Sequence, residues 1–159
     1  MMPEVGRIVS QPVVQWEGGT HGRWRMKPTG KHGPLSENLF KDGSCDVGHV
    51  TGCLYLLDRI PKDAMRFPNV PIYEDLLFNM GLIAAGVTLF IAIRPVYNYF
   101  RHKESLTFGT FTIEDANKVI DAYNEIILKY TPSGDTIARF DAFLDNIMHA
   151  RLGDKYEEL

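Results

Sequence analysis

Residues 76–93, LLFNMGLIAAGVTLFIAI, run for eighteen positions without a formal charge in a chain of 159. A run of this kind is either a membrane span or the buried central helix of a small domain. As one helix it would be roughly 27 Å long, against about 30 Å for the hydrocarbon of a bilayer. Only Asn79 and Thr88 interrupt its apolar character, and a threonine hydroxyl can bond back to its own helix. A buried helix in a globular domain normally keeps one polar edge, and this run has none. The leading flank IYEDLL carries Tyr73, and the trailing flank RPVYNYFRHK carries Arg94, Tyr97, Tyr99, Arg101 and Lys103. Tyrosines and long cationic side chains are the usual anchors at a membrane boundary. The pattern predicts a transmembrane helix within residues 71–103, flanks included.

Such a helix would carry a packing stripe. At 100° per residue, Gly81, Ala85, Thr88 and Ala92 fall within a sector of roughly 60°. Small residues in line let a second helix approach closely in lipid, so the stripe predicts a helical partner in the membrane. Orientation is nearly balanced. Arg59, Lys62 and Arg66 precede the run and Arg94, Arg101 and Lys103 follow it. The following set lies closer, which slightly favours a carboxyl terminus on the matrix or cytoplasmic side.

Around this run the chain divides unevenly. Residues 1–70 form a Gly/Pro-rich arm with no sustained apolar period, as in WEGGTHGRW and MKPTGKHGPL. Short strands or one helical turn are an open reading around VTGCLYLLDRI. The arm still holds Trp16, Trp24, Phe40 and Phe67, bulky groups that predict burial against other protein. Residues 110–153 read as two amphipathic helices. Thr112 and Asp115 form a carboxylate variant of the capping box. Ala116, Val119, Ile120, Tyr123, Ile126, Ile127 and Tyr130 then recur on one face. TPSGD interrupts the pattern. Ile137, Phe140, Leu144, Ile147, Met148 and Leu152 repeat it up to Gly153. Helices joined so briefly are expected to fold back antiparallel as a hairpin. Residues 154–159 are an acidic tail.

Chemical motifs are sparse. Cys45, His49 and Cys53 are evenly spaced in CDVGHVTGC, yet the short cysteine spacing of a zinc site is missing, as is a fourth ligand. Packed thiols, a Cys45–Cys53 disulfide across a short loop, and a metal site all remain open, with thiols the default. An EF-hand ending at Asp141 would place Tyr130, Pro132 and Gly134 at ligand positions, where no side-chain carboxylate exists. His21, His32, His49, His102 and His149 fall in no nucleophile, zinc or phosphate-loop motif, and WEGGTHG lacks the Gly-Lys-Ser/Thr ending of a phosphate loop. The expectation is a non-enzyme without metal or cofactor. Charged residues at 23% and hydrophobic residues at 45% fit an ordinary folded chain. A net charge of −3 argues against nucleic acid as the main partner.

The expected fold is mainly α, with a single transmembrane helix, an irregular amino-terminal arm and a carboxyl-terminal hairpin. Arm, span and hairpin each present surface that the chain alone cannot bury. In architecture this is similar to the single-span supernumerary subunits of mitochondrial respiratory complexes and the ATP synthase. That likeness implies a non-catalytic accessory subunit of a large inner-membrane complex, touching neighbouring subunits and membrane lipid. MMPEVGRIVSQPVV is not a secretory signal, for it lacks a hydrophobic centre, so the mitochondrial placement rests on the architectural likeness. The alternative is a single-pass adaptor or regulator in another membrane, such as the endoplasmic reticulum.

Overall fold

The uncharged run does not form one helix. In the computed structural model, which describes residues 5–9, 13–16, 21–23, 32–34, 50, 53–91, 98–101 and 109–159, residues Glu74–Ala84 form helix α1 and Thr88–Ile91 form strand β6. The break has a local cause. Gly86 sits at φ +77°, a left-handed conformation open to glycine at little steric cost. From there the Gly86 N–H donates to the Ile83 carbonyl at 2.9 Å and the Val87 N–H to the Leu82 carbonyl at 3.0 Å. These two bonds are the paired closure of a Schellman motif. Leu82 and Val87 also pack together in one buried cluster, the hydrophobic contact that accompanies such a stop. Beyond it, Thr-Leu-Phe-Ile favours extended backbone.

The transmembrane helix expected over this run is therefore corrected. Among the described residues no helix is long and apolar enough to cross a membrane, and the eleven residues of α1 extend only roughly 16 Å. Its all-round apolar character has another origin, because every residue from Leu76 to Ile83 is buried. Leu76, Leu77, Met80 and Ile83 face one cluster, while Phe78 and Leu82 face a second with Ile60, Ala64 and Val87. A helix enclosed on all sides needs no polar edge.

Among the described residues the structure is mainly helical. Helix α2 spans Ile113–Tyr130 and α3 spans Gly134–Leu152, at the positions their periodicity predicts. The Asp115 N–H donates to the Thr112 hydroxyl at 3.1 Å and the Thr112 N–H donates to the Asp115 carboxylate at 3.0 Å, completing the capping box. Ser133 caps α3 by accepting from the Thr136 N–H at 3.3 Å. Ala116, Val119 and Tyr123 of α2 and Phe140, Leu144, Met148 and Leu152 of α3 enclose the first face of α1, with Phe111. The Tyr123 ring meets Phe140 edge-on at 6.4 Å. At the other end, Arg151 donates to the Gly109 carbonyl at 3.0 Å and lies over the Phe111 ring. A turn of 3-10 helix, Gly153–Glu158, follows α3.

Within residues 1–70, strands β1 (Val5–Val9), β2 (Val13–Trp16), β3 (His21–Arg23), β4 (His32–Pro34) and β5 (Cys53–Tyr55) are described. β5 and the 3-10 turn Leu57–Arg59 fall where VTGCLYLLDRI suggested local structure. With β6, strands β1, β4 and β5 build a four-stranded sheet in the order β4-β6-β1-β5, in which β1 runs parallel to β6 and antiparallel to β5. Ile8 lies opposite Leu54 on one side and Phe90 on the other. A second sheet, β3-β2-β7, adds Asn98–Arg101 as β7. Strand pairing thus joins the first residues of the chain to the segment after α1. No periodic local pattern announces pairings over such separations.

Candidate functional site

The β5 segment displays apolar side chains on its outer face. Side chains of a strand alternate between faces. Cys53 and Tyr55 are accordingly half-buried, while Leu54 is 63% exposed. Leu56 and Leu57 follow at 44% and 65% exposure. Tyr55 meets the Phe78 ring edge-on at 5.7 Å, and Phe67 stacks on that ring at 4.3 Å while staying half-exposed. Phe78 therefore brings Tyr55 and Phe67 together over the second face of α1. A single exposed leucine needs no explanation, but three within four residues are apolar surface of the kind that docks protein. Leu128, on α2, is also exposed, at 81%.

Beside Phe67 lies a cavity of about 180 Å³, bounded by Phe78, Gly81, Ile126 and Tyr130. Lys129 closes it. Its ammonium lies 3.2 Å from the Asp63 carboxylate and donates to the Asp63 carbonyl at 3.0 Å. The hydrogen bond from Lys129 holds the Asp63 carboxyl below its usual range. This pair tethers the 3-10 turn Lys62–Ala64 to the last turn of α2.

On the opposite side of α2, a groove of about 400 Å³ runs between α2, α3 and the final 3-10 turn. Ile120, Leu144 and Met148 supply apolar wall, and Asp141 and Asp145 stand one helical turn apart on its rim. The Tyr123 hydroxyl donates to Asp141 at 2.5 Å, and the Tyr156 hydroxyl donates to Asp145. Burial, and then the bond to Asp141, push the Tyr123 hydroxyl well above the usual tyrosine range. The bond to Asp145 raises Tyr156 in the same direction. Tyrosines tuned this way are hydrogen-bond donors across the whole physiological range.

The residues singled out from sequence are scattered. Gly81 lies inside α1, Ala85 caps it and Thr88 starts β6, while Ala92 lies outside the described residues. The expected packing stripe is thus corrected, since it required one continuous helix. Cys53 is half-buried in β5 and packs against the main core, whereas Cys45 and the disulfide proposed for it lie outside the described residues, as does His49. Among the described residues, no group of three or more His, Cys, Asp or Glu is placed to hold a metal ion. Sequence reasoning missed both the leucine patch and the acidic groove. Alternation over CLYL was the available signal for the first. For the second it was the i, i+4 spacing of Asp141 and Asp145 beside Leu144 and Met148. Comparison with protein-family models, curated proteins and solved structures finds no match.

Proposed function

We propose that this chain is a non-catalytic structural subunit of a larger protein assembly, docked through the leucine surface of β5 and the turn after it. The carrying observation is the exposure of Leu54, Leu56 and Leu57 within four residues of one another. Leaving such side chains in water forgoes roughly 1.5–3 kcal/mol each relative to burial, and a partner surface would recover much of it. Helices α2 and α3 are taken as an antiparallel hairpin that backs this surface through α1. The pairing of Tyr123 with Phe140, and of Arg151 with Phe111, supports that geometry. A span over residues 76–93 has no part in this docking, and the likeness to single-span respiratory and ATP synthase subunits falls with it.

The test is native electrophoresis of the tagged full chain expressed in its own cells, with the co-migrating subunits quantified. The expected result is a large complex of fixed stoichiometry. Leu54→Lys with Leu57→Lys should drop the chain out of that complex while leaving its circular dichroism unchanged, because both side chains already face solvent. A double variant that stays assembled removes the leucine surface as the interface. A wild-type chain that migrates alone removes the subunit proposal.

A further inference from the structure

Residues 56–68 run past the second face of α1 between two points that are fixed in the main core. Cys53 packs against that core before them, and Val70, Ile72 and Tyr73 pack against it after them. Between these anchors the chain touches a different cluster. Ile60, which ends the turn Leu57–Arg59, and Ala64, in the turn Lys62–Ala64, are buried with Phe78, Leu82 and Val87. Five buried residues make up this cluster, against twelve in the main core, so its burial holds far less tightly. The two clusters meet α1 on different faces. The smaller can therefore be lost while the larger stays closed.

The bonds within this stretch are as local as its packing. The N–H groups of Arg59, Ile60 and Ala64 donate to the Leu56, Leu57 and Pro61 carbonyls at 2.9, 3.4 and 2.9 Å. Each of these bonds lies inside the stretch and would travel with it. Phe67 rests on the Phe78 ring at 4.3 Å yet is half-exposed. Lys129 supplies a polar link to α2, reaching both the carboxylate and the carbonyl of Asp63. One ammonium thus fastens the turn Lys62–Ala64 at a single point.

We propose that residues 56–68 are a strap that lifts from α1 as one unit while the main core stays closed, with Lys129 as its latch. Lifting bares Phe78 and Leu82 and carries Leu56 and Leu57 with it, so it reshapes the leucine surface as a whole. Burial of Ile60 and Ala64 favours the closed form, and the latch shifts the balance further towards it. An exposed ion pair contributes little to the stability of a whole domain. Against so small a cluster its share is large. The motion is read on the chain alone, so this proposal and the docking proposal can fail separately.

The test is native-state hydrogen exchange of the full chain, followed by NMR at urea concentrations below the unfolding transition. In the wild type the amides of Ile60 and Ala64 should exchange at least about tenfold faster than those of Val119 and Tyr123, which report opening of the core. Their rates should also rise with urea, because lifting the strap exposes apolar surface. Fraying of the 3-10 turns alone would show no such rise. Lys129→Met removes both bonds and should speed exchange at Ile60 and Ala64 by about two- to fivefold, with Val119 and Tyr123 unchanged. Asp63→Asn keeps the carbonyl bond and should give a smaller increase. Lys118→Met is the control, because it breaks the 2.7 Å pair with Glu114 on the same helix and should leave Ile60 and Ala64 unchanged. Equal rates for strap and core, strap rates indifferent to urea, or a Lys129→Met chain that matches the wild type overturns the proposal. So does a Lys129→Met chain in which strap and core speed up by the same factor, since that is a loss of global stability.

Discussion

Gly81 and Gly86 stand five positions apart in the same uncharged run, and they have opposite duties. Gly81 lies in the interior of α1, and a Cβ placed there would meet nothing within 4 Å, because the residue borders the cavity beside Phe67. Gly81→Ala should therefore raise stability by up to about 1 kcal/mol through helix propensity. Gly86 has equal space around it but a φ of +77°, so Gly86→Ala should cost about 1–2 kcal/mol through left-handed strain. A continuous helix over residues 76–93 would favour alanine at both sites. Urea unfolding of the two variants decides the matter, and a stabilising Gly86→Ala would contradict the helix stop. Thr112→Ala, which removes the cap of α2, should cost about 1 kcal/mol in the same assay.

Among the elements, α2 and α3 are specified by their own sequences. Cap, apolar stripe and stop all point to the same boundaries, so local and global preferences agree. α1 has no such announcement. Its N-cap is Tyr73 in a left-handed conformation at φ 68°, with no side-chain cap, and the edge-on contact with Phe111 at 5.7 Å helps to offset that strain. The weight of the helical core falls on Phe140, which is 0% exposed. Phe140→Ala should cost about 3–5 kcal/mol, whereas Leu128→Gln, at a side chain 81% exposed, should stay within about 0.5 kcal/mol of wild type. Acid acts on the links between elements. The Thr112 hydroxyl bond holds the Asp115 carboxyl below its ordinary value of 3.8, and the Lys129 bond does the same for Asp63. A lowered folded-state pKa contributes stability that is present above 3.8 and lost as pH falls through the lowered value. The melting temperature should therefore drop on acidification below about 3.8. Asp63→Asn with Asp115→Asn should flatten that drop, and an undiminished slope would show that other carboxylates carry it.

For the whole molecule, the decisive arrangement is α1 enclosed by α2 and α3 on one face and by the Ile60 and Ala64 turns on the other. Amides so enclosed open only with the core. Hydrogen exchange should accordingly be slowest over residues 77–84 and 116–123, with the two stretches exchanging at similar rates. Rapid exchange over 77–84 beside slow exchange over 116–123 would mean that α1 is not part of that core. The same enclosure bears on the leucine surface and the acidic groove. With α1 covered, Leu54, Leu56 and Leu57 of β5 and the turn after it are among the apolar side chains left facing solvent, while another face of α2 lines the acidic groove.

Local chemistry in the sequence determined α2, α3, their caps and their stop at Gly153, because each of those signals acts within a few residues of itself. It also contained the stop of α1, in the glycine of Ala85-Gly86-Val87, but an uncharged run of hydrocarbon reads alike whether lipid or protein surrounds it. Only the tertiary structure decided between the two. It placed Phe78 and Leu82 against Ile60 and Val87, and Leu76, Leu77 and Met80 against Val119 and Phe140. It also paired β1 with β6 across about half of the chain. Both the enclosure of α1 and that parallel pairing depend on residues far apart in sequence. The free energy that selects them comes from contacts that exist only once the chain has folded.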